Sequence, residues 1–324
     1  MLKVRDLAIR FAGRSASEAG TLAVDGIDLD LDRAQVLALI GESGSGKSAT
    51  MLALAGLLPK SARTTGSVLL DDRSILHLDE REKSTVRGRR IGMIFQDPGG
   101  SLNPVLTIGD QIDEVVRTHH GLDRRAARAE TVSLLSRVGI GDPAARARAY
   151  PHQLSGGLKQ RVAIAAALAA QPTVILADEP TTALDATVQA QILDLLVNLV
   201  QVEHVALLLV THDLAVAAAV ADRIAVMYAG KIVERRGPEQ LVAQPGHPYS
   251  RALGQAALPF VAAGDGRHAA LPELPGRMAA AGGTACAFAP RCPLAVDRCR
   301  AEVPPVQPFG DGEAACFRAG ETAP

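Results

Sequence analysis

The feature that most constrains the fold of this chain is a glycine-rich loop with the pattern G-x-x-x-x-G-K-S. It consists of Gly41, Glu42, Ser43, Gly44, Ser45, Gly46, Lys47 and Ser48. An apolar run before it, Val36–Ile40, predicts a short buried strand, and Ala49–Ala55 after it predicts a helix. In that setting the glycines let the backbone N–H groups face one concavity, and the helix N-terminus adds positive potential there. The loop therefore predicts a binding site for a polyphosphate.

Lys47 and Ser48 carry the chemistry of this loop. In loops of this pattern the lysine reaches the β- and γ-phosphates, and the hydroxyl ligates Mg²⁺. We count Ala49 among the phosphate-binding positions because it opens the predicted helix. The alternative is an ordinary glycine-rich turn, which the four fixed positions and the flanking strand and helix disfavour.

Composition excludes several kinds of partner. The net charge is −1, the pI is about 6.7 and tryptophan is absent, so we expect no nucleic acid to bind. Charges within Met1–Asp6 interrupt any signal-peptide core, and no uncharged apolar run reaches the ~18–20 residues of a membrane span. We expect a soluble, cytoplasmic chain whose membrane role depends on partner chains.

The N-terminal region predicts a small antiparallel β-subdomain. Leu2–Phe11 alternates loosely, as an edge strand does, and Ile27–Asp32 alternates strictly between apolar and acidic residues. Phe11 is the aromatic residue of this region. It could stack on an adenine ring, or it could fill the core of the subdomain.

Further along, Gly66–Asp72 and Ile91–Phe95 read as strands. Gln96 follows the second strand at its carboxyl end, where α/β sheets place ligand-binding groups. Its amide could reach Mg²⁺ or a water beside the phosphates, although an ordinary polar loop residue is the alternative. Beyond it, residues 97–155 carry helical spacing, for example over Asp110–His120 and Asp123–Val138. We predict an inserted helical subdomain here.

A second anion-binding device follows the insertion. Ser155, Gly156 and Gly157 precede a long apolar helix, so a hydroxyl, flexible amides and a helix N-terminus meet at one spot. One such loop is weak evidence, because many helices begin with Ser-Gly. Two in one chain raise the question of whether both face the same phosphate.

Two neighbouring acids end the next apolar strand. Asp178 fits the Mg²⁺-binding acid of a P-loop protein, and Glu179 beside it can polarise the attacking water. Asp185 opens the following helix, Ala186–Gln201. His212 then follows a buried strand and could hydrogen-bond a γ-phosphate, although a lone histidine there is more often structural.

All the cysteines lie in a tail rich in Ala, Gly and Pro, whose composition, with Pro259, Pro272 and Pro275, predicts a linker into a loop-rich extension. The cysteines are Cys286, Cys292, Cys299 and Cys316, and the first 285 residues contain none. Because we expect a cytosolic chain, a metal suits them better than disulfides do. The irregular spacing is not the paired C-x-x-C spacing of zinc fingers. Four irregularly spaced thiolates could equally hold a [4Fe–4S] cluster. Four free thiols in a small core are the remaining alternative.

Together these motifs resemble the nucleotide-binding subunit of an ABC transporter over roughly residues 1–255. The correspondence assigns residues 41–48 to the Walker A loop, Gln96 to the Q-loop, Ser155, Gly156 and Gly157 to the signature loop, Asp178 and Glu179 to Walker B, Asp185 to the D-loop, His212 to the switch histidine and Phe11 to the A-loop. Phe11 departs from the usual Tyr or Trp, and Leu158 stands where many members have Gln. The resemblance implies ATP and Mg²⁺ as ligands, with the phosphate loop, Phe11, Gln96, the signature loop and Asp185 contacting the nucleotide. It implies catalytic roles for Lys47, Glu179 and His212, and Mg²⁺ ligation by Ser48, Gln96 and Asp178.

A finer resemblance is to the oligopeptide, dipeptide and nickel importer ATPases. It rests on residues 96–104, 180–189 and 245–250. It implies a second, homologous ATPase subunit that pairs head to tail, two membrane-spanning permease subunits and a substrate-binding protein. The subunit would then be peripheral, on the cytoplasmic face of the membrane. Residues 286–293 resemble the C-terminal extension of these ATPases, for which a [4Fe–4S] cluster is the implied occupant and Zn²⁺ the alternative.

We therefore predict an α/β fold with a P-loop NTPase core of ABC type over residues 1–255. An N-terminal antiparallel β-subdomain leans on that core, a helical subdomain is inserted near residues 97–155, and a small cysteine-containing extension occupies residues 256–324. The expected function is ATP hydrolysis coupled to the uptake of di- or oligopeptides. Alternatives are transport of nickel or another small solute, an ABC ATPase without a transport role, and a regulatory subunit that hydrolyses ATP poorly.

Overall fold

Two β-sheets organise the chain in the computed structural model, which describes residues 1–13, 20–182, 184–257, 276 and 278–321. The strands are β1 (Leu2–Phe11), β2 (Thr21–Leu31), β3 (Val36–Ile40), β4 (Ala62–Leu70), β5 (Arg73–Ser74), β6 (Ile91–Ile94), β7 (Val174–Asp178), β8 (Ala206–Thr211), β9 (Arg223–Tyr228), β10 (Lys231–Arg236), β11 (Gln307–Phe309) and β12 (Gly312–Ala314). The helices are α1 (Lys47–Leu54), α2 (Glu80–Val86), α3 (Pro98–Ser101), α4 (Ile108–His120), α5 (Arg124–Arg137), α6 (Pro143–Arg146), α7 (Gly156–Leu168), α8 (Ala186–Glu203), α9 (Leu214–Val220), α10 (Pro238–Ala243), α11 (Pro248–Ala257) and α12 (Asp297–Ala301). Short 3₁₀ turns span Pro151–Gln153 and Ala289–Arg291.

The smaller sheet is antiparallel, with strand order β2-β1-β4-β5, and it confirms the predicted N-terminal β-subdomain. The loose alternation of β1 has a local cause. The register shifts between Val4 and Leu7, and Asp6 there adopts a φ of 47°. This bulge inserts an extra residue, so Val4 and Leu7 are both buried although three positions separate them.

The larger sheet has strand order β11-β12-β10-β9-β3-β8-β7-β6. From β6 to β9 its neighbouring strands are parallel, and β3 and β8 are buried at every residue. Burial on both faces explains why these strands read as unbroken apolar runs. Because the parallel strands end at the same edge, the loops after β3, β6, β7 and β8 meet there.

The insertion is helical, as predicted. Between Asp97 and Gln153 the described residues form helices and turns, with no strand among them. Thr107 and Asp123 cap the N-termini of α4 and α5 through their side chains, and Gly121 ends α4 at a φ of 67°. The caps satisfy backbone N–H groups that a helix leaves unpaired, so they set where each helix begins.

The C-terminal residues continue the larger sheet. The hairpin of β11 and β12 pairs antiparallel with β10, where Glu234 faces Ala314. The predicted linker prolines Pro259, Pro272 and Pro275 lie outside the described residues. Within the part of the chain that is described, no helix is both long enough and apolar enough to cross a membrane.

Candidate functional site

The phosphate loop connects β3 to α1, as predicted. Gly46 lies just before α1 at a φ of 111°, and a Cβ there would approach Ala23 O to 2.5 Å, so this position requires glycine. No side chain of the described residues caps the N-terminus of α1. Its first N–H groups therefore stay available to an anion. The Ser45 Oγ is fully buried and has no hydrogen-bond partner in the described part of the chain, which suits a loop shaped around a ligand.

Lys47 lies across this loop, with only 5% of the residue exposed. Its Nζ donates to Gly41 O at 2.7 Å and to Glu42 O at 2.9 Å. Burial lowers the pKa of Lys47, and the nearby carboxylates of Glu179, Asp178 and Glu42 oppose that shift. Two backbone carbonyls thus hold the ammonium, and it lies in the field of Asp178 and Glu179.

Asp178 at the end of β7 reaches the loop. Burial is the largest effect and raises the pKa of this carboxyl group, and the charge of Glu179 raises it further. A hydrogen bond from Ser48 and the charge of Lys47 oppose the shift. The Ser48 hydroxyl therefore lies near the Asp178 carboxylate. In nucleotide sites Mg²⁺ takes a hydroxyl and a carboxylate from the protein, and waters and phosphate oxygens complete its coordination.

Glu179 is the meeting point of three further side chains. Its Oε2 accepts hydrogen bonds from Gln96 Nε2 at 3.1 Å and Thr182 Oγ1 at 3.0 Å, and His212 Nδ1 lies 3.2 Å away. The backbone of Glu179 has a φ of 44° and donates to Val210 O at 2.9 Å. A left-handed backbone conformation costs free energy at a glutamate and persists where surrounding contacts hold the residue in place. Sequence reasoning had found Gln96 and His212 and had missed Thr182.

The signature loop lies beside the residue that precedes Asp185. Ser155 Oγ accepts from Leu158 N at 3.4 Å and caps α7, and a Cβ on Gly156 would lie 3.5 Å from Leu184. The Asp185 carboxylate caps α8 through Thr187 N and Val188 N. Among the described residues, no hydrogen bond joins residues 155–157 to residues 41–49. Which ligand the signature loop contacts stays a prediction.

Phe11 packs against the apolar cluster of the antiparallel sheet. The neighbouring residue, Arg10, lines a cavity of ≈ 560 Å³ beside Gly44, together with Thr21–Ala23 and Met278–Gly282. That cavity borders the phosphate loop on the side of β2. Stacking of Phe11 on a base stays a prediction, because Phe11 itself is not among the residues that line the cavity.

Two residues that sequence reasoning missed contact the loop at Glu42. The Glu42 N–H donates to the Tyr249 hydroxyl at 2.8 Å, and Arg291 donates to both carboxylate oxygens of Glu42. Neither residue lies in a local pattern that points to the loop. They are 207 and 249 positions away along the chain.

The four cysteines line one small cavity of ≈ 10 Å³, with Phe288 and Leu294 among its other walls. Burial raises the pKa of Cys286 and Cys292 and raises that of Cys316 to about 11. All four are free thiols, so no disulfide joins them. As the side chains stand, no group of three or more His, Cys, Asp or Glu residues in the described part of the chain is placed to hold a metal ion. The thiols converge, but their spacing would have to change around a metal centre.

Comparison with known proteins connects this geometry to a family. Residues 24–182 match the family model described as "ABC transporter", and residues 233–299 match "Oligopeptide/dipeptide transporter, C-terminal region". The dipeptide transport ATP-binding protein DppD of Escherichia coli is 45% identical, with 96% of this chain and 94% of that protein covered. The oligopeptide transport ATP-binding protein OppD of Mycobacterium tuberculosis is 45% identical over 98% of this chain and 52% of its own length.

Solved structures agree with the fold. The ATP-binding cassette MJ0796, solved as a dimer in a post-hydrolysis state with ADP and Pi, has a TM-score of 0.65 and 29% identity, covering 74% of this chain and 99% of that one. The structure of cbiO1 from Clostridium perfringens, part of the transporter complex cbiONQ, has a TM-score of 0.63, again at 29% identity, with 75% and 90% covered.

Proposed function

This chain belongs to the ABC transporter ATPases, on the branch of dipeptide and oligopeptide transport proteins, and from that membership we propose that it powers peptide import. The family binds ATP with Mg²⁺ and couples its hydrolysis to ADP and phosphate to transport. One observation carries the proposal for the chemical step: Gln96, Thr182 and His212 all converge on Glu179 Oε2, beside Lys47 and Asp178.

The residues divide the work of hydrolysis. Ser48 and Asp178 would hold Mg²⁺, which neutralises charge on the phosphates when it is bound. Lys47 and the N–H groups of the loop bind the β- and γ-phosphates. Glu179 orients the attacking water and accepts its proton at the carboxylate, while Gln96 and His212 position that carboxylate.

The signature loop supports a proposal for the assembly. Ser155–Gly157 and the phosphate loop share no hydrogen bond within the described residues, so a second ATPase subunit that pairs head to tail would supply the missing loop. We propose a homologous but different chain for that role. Two permease subunits and a substrate-binding protein complete the importer, with this chain peripheral on the cytoplasmic face of the membrane.

The experiment replaces Glu179 by glutamine in the assembled transporter. Glu179→Gln keeps the size and the hydrogen bonds of the side chain but removes the proton acceptor. We expect binding of MgATP to persist and turnover to fall by about 10²–10⁴-fold. Steady-state hydrolysis at the unaltered rate contradicts the assignment of Glu179.

Transport in proteoliposomes tests the substrate class. Labelled dipeptides, longer peptides and Ni²⁺ are offered to the complete importer, with the Glu179→Gln assembly as the inactive control. Peptide uptake that requires ATP supports the proposal. Uptake of Ni²⁺ and of no peptide favours the alternative solute, and ATP hydrolysis without any uptake favours a role outside transport.

We propose in addition that the four cysteines hold a metal centre, a [4Fe–4S] cluster in the first place and Zn²⁺ in the second. The convergence of four thiols on one cavity supports it, since cysteine sulfur is the usual ligand of both. Iron and zinc are measured on anaerobically purified protein together with the visible spectrum. About four irons per chain identifies the cluster. Stoichiometric zinc without colour identifies the alternative, and a chain free of both metals contradicts the proposal.

A further inference from the structure

We propose that Arg291 of the C-terminal extension is a positioning residue for the phosphate loop, and that it acts through the carboxylate of Glu42. The inference rests on the proposed binding of ATP at that loop. It goes further because it assigns a role in the ATP site to a residue that lies in the extension.

The contact is a two-pronged ion pair. Arg291 Nη1 lies 2.9 Å from Glu42 Oε2, and Nη2 lies 3.1 Å from Oε1. The Arg291 side chain is only 6% exposed, whereas that of Glu42 is 31% exposed. Nη1 also donates to the Tyr228 hydroxyl at 3.3 Å. A guanidinium held by two parallel hydrogen bonds fixes both the place and the angle of the carboxylate.

An aromatic cluster anchors Arg291 to the ATPase core. Phe288 packs edge-on against Tyr228 with ring centroids 5.2 Å apart, and its distance to Tyr249 is 5.6 Å. Tyr249 accepts the Glu42 N–H, so both the backbone and the side chain of Glu42 are held from this cluster. Because Phe288 is 2% exposed, this contact is a packed interface and not a surface touch.

Glu42 passes this restraint to the residues that bind phosphate. Its carbonyl oxygen accepts from Lys47 Nζ at 2.9 Å and from Ser45 N at 3.2 Å. A shift of Glu42 therefore moves both the lysine and the curve of the loop. The guanidinium also neutralises a carboxylate that would otherwise repel an incoming polyphosphate.

A second contact between the extension and the loop agrees with this placement. Met278 reaches Gly44, where a Cβ would lie 3.3 Å from the Met278 Cε. Arg291 and Met278 thus touch the phosphate loop at two separate positions. The extension therefore contacts the loop from the side of β9 and β2.

The test compares arginines that each precede a cysteine of the extension. Arg291→Ala removes the contact to Glu42. Arg298→Ala is the matched control, because Arg298 pairs with Glu302 on the surface at 3.0 Å and its side chain is 61% exposed. Affinity for MgATP is measured on the full-length chain with a fluorescent ATP analogue, and Tm is measured without nucleotide.

We expect Arg291→Ala to weaken MgATP binding by about three- to tenfold, and the control to match the unaltered chain. The loss is smaller than the full effect of a hydrogen bond to a charged group, because Arg291 acts on the nucleotide only through Glu42. In the assembled transporter the change should appear in KM for ATP and leave kcat within about twofold, because the contact orders the loop and does not touch the reacting atoms.

Glu42→Gln supplies the second half of the test. If Arg291 acts through the Glu42 charge, Arg291→Ala together with Glu42→Gln binds MgATP at least as well as Arg291→Ala alone. Additive losses, or normal affinity in Arg291→Ala, overturn the inference and leave the proposed function standing. Failure of the unaltered chain to bind MgATP overturns both. Should Arg291→Ala not fold, Arg291→Gln, which removes the charge but keeps most of the side-chain length, is compared instead, and an affinity equal to that of the control contradicts the inference.

Discussion

Replacing Phe288 by alanine is expected to loosen the C-terminal extension from the ATPase core. The ring is 2% exposed and lies against Tyr228, Tyr249 and His247 at centroid distances of 5.2, 5.6 and 5.6 Å. Burying a phenylalanine side chain removes about 150–200 Å² from water, which at ~25 cal/mol per Å² is worth about 4–5 kcal/mol. Measured Phe to Ala changes in cores cost about 3–5 kcal/mol, so the two routes agree.

The assay is hydrogen exchange followed by mass spectrometry on the full chain. We expect amides in α12 and in β11–β12 to lose protection in Phe288→Ala, while those of α4 and α5, in the helical insertion, keep theirs. Phe288→Leu is the control, because it keeps most of the apolar volume and should cost under about 1.5 kcal/mol. Equal protection in Phe288→Ala and the unaltered chain would refute the reasoning that this ring fastens the extension.

Two further predictions concern a helix cap and acid stability. Asp185→Ala removes the side chain that accepts hydrogen bonds from Thr187 N and Val188 N. In urea titrations it should lower the free energy of unfolding by about 0.5–2 kcal/mol, whereas Asp185→Asn should lower it less. Equal unfolding midpoints for the two variants would contradict the capping role. Burial lowers the pKa of His247 to about 3, so between pH 6.5 and 3 the unfolded chain binds a proton that the folded chain does not. The free energy of unfolding should therefore decrease as the pH is lowered through that window, by up to about 1.4 kcal/mol per pH unit from this group. Glu234, whose pKa burial raises, acts in the opposite sense. His247→Gln should show a shallower fall of Tm between pH 6.5 and 5, and an identical slope would contradict this account.

The local patterns predicted most of the side chains that gather at the candidate site. Residues 41–48, Asp178 and His212 follow apolar strands, and parallel strands end at one edge, so the side chains after them had to meet. Helical spacing likewise predicted α4 and α5 to within a few residues, because their caps, Thr107 and Asp123, are set by neighbours in sequence.

Short-range patterns could not reveal what depends on distant pairing. The addition of β12 to β10 joins residues about eighty positions apart, and nothing in either strand marks its partner. The composition of the tail predicted a loop-rich extension, whereas the structure continues the main sheet into it. Backbone hydrogen bonding at a sheet edge accepts many sequences, so the pairing is decided by packing.

At the phosphate loop, local sequence and tertiary structure determine different features. By itself the sequence determined that a glycine-rich loop joins a strand to a helix over residues 41–48, and it predicted an anion there, since glycine, lysine and serine at fixed spacing favour that backbone and that chemistry. Only the tertiary structure decided that Arg291 and Tyr249 hold Glu42, and that three side chains share Glu179 Oε2. Such contacts form when packing brings separate segments within about 3 Å, a property of the whole chain's burial that no local spacing encodes.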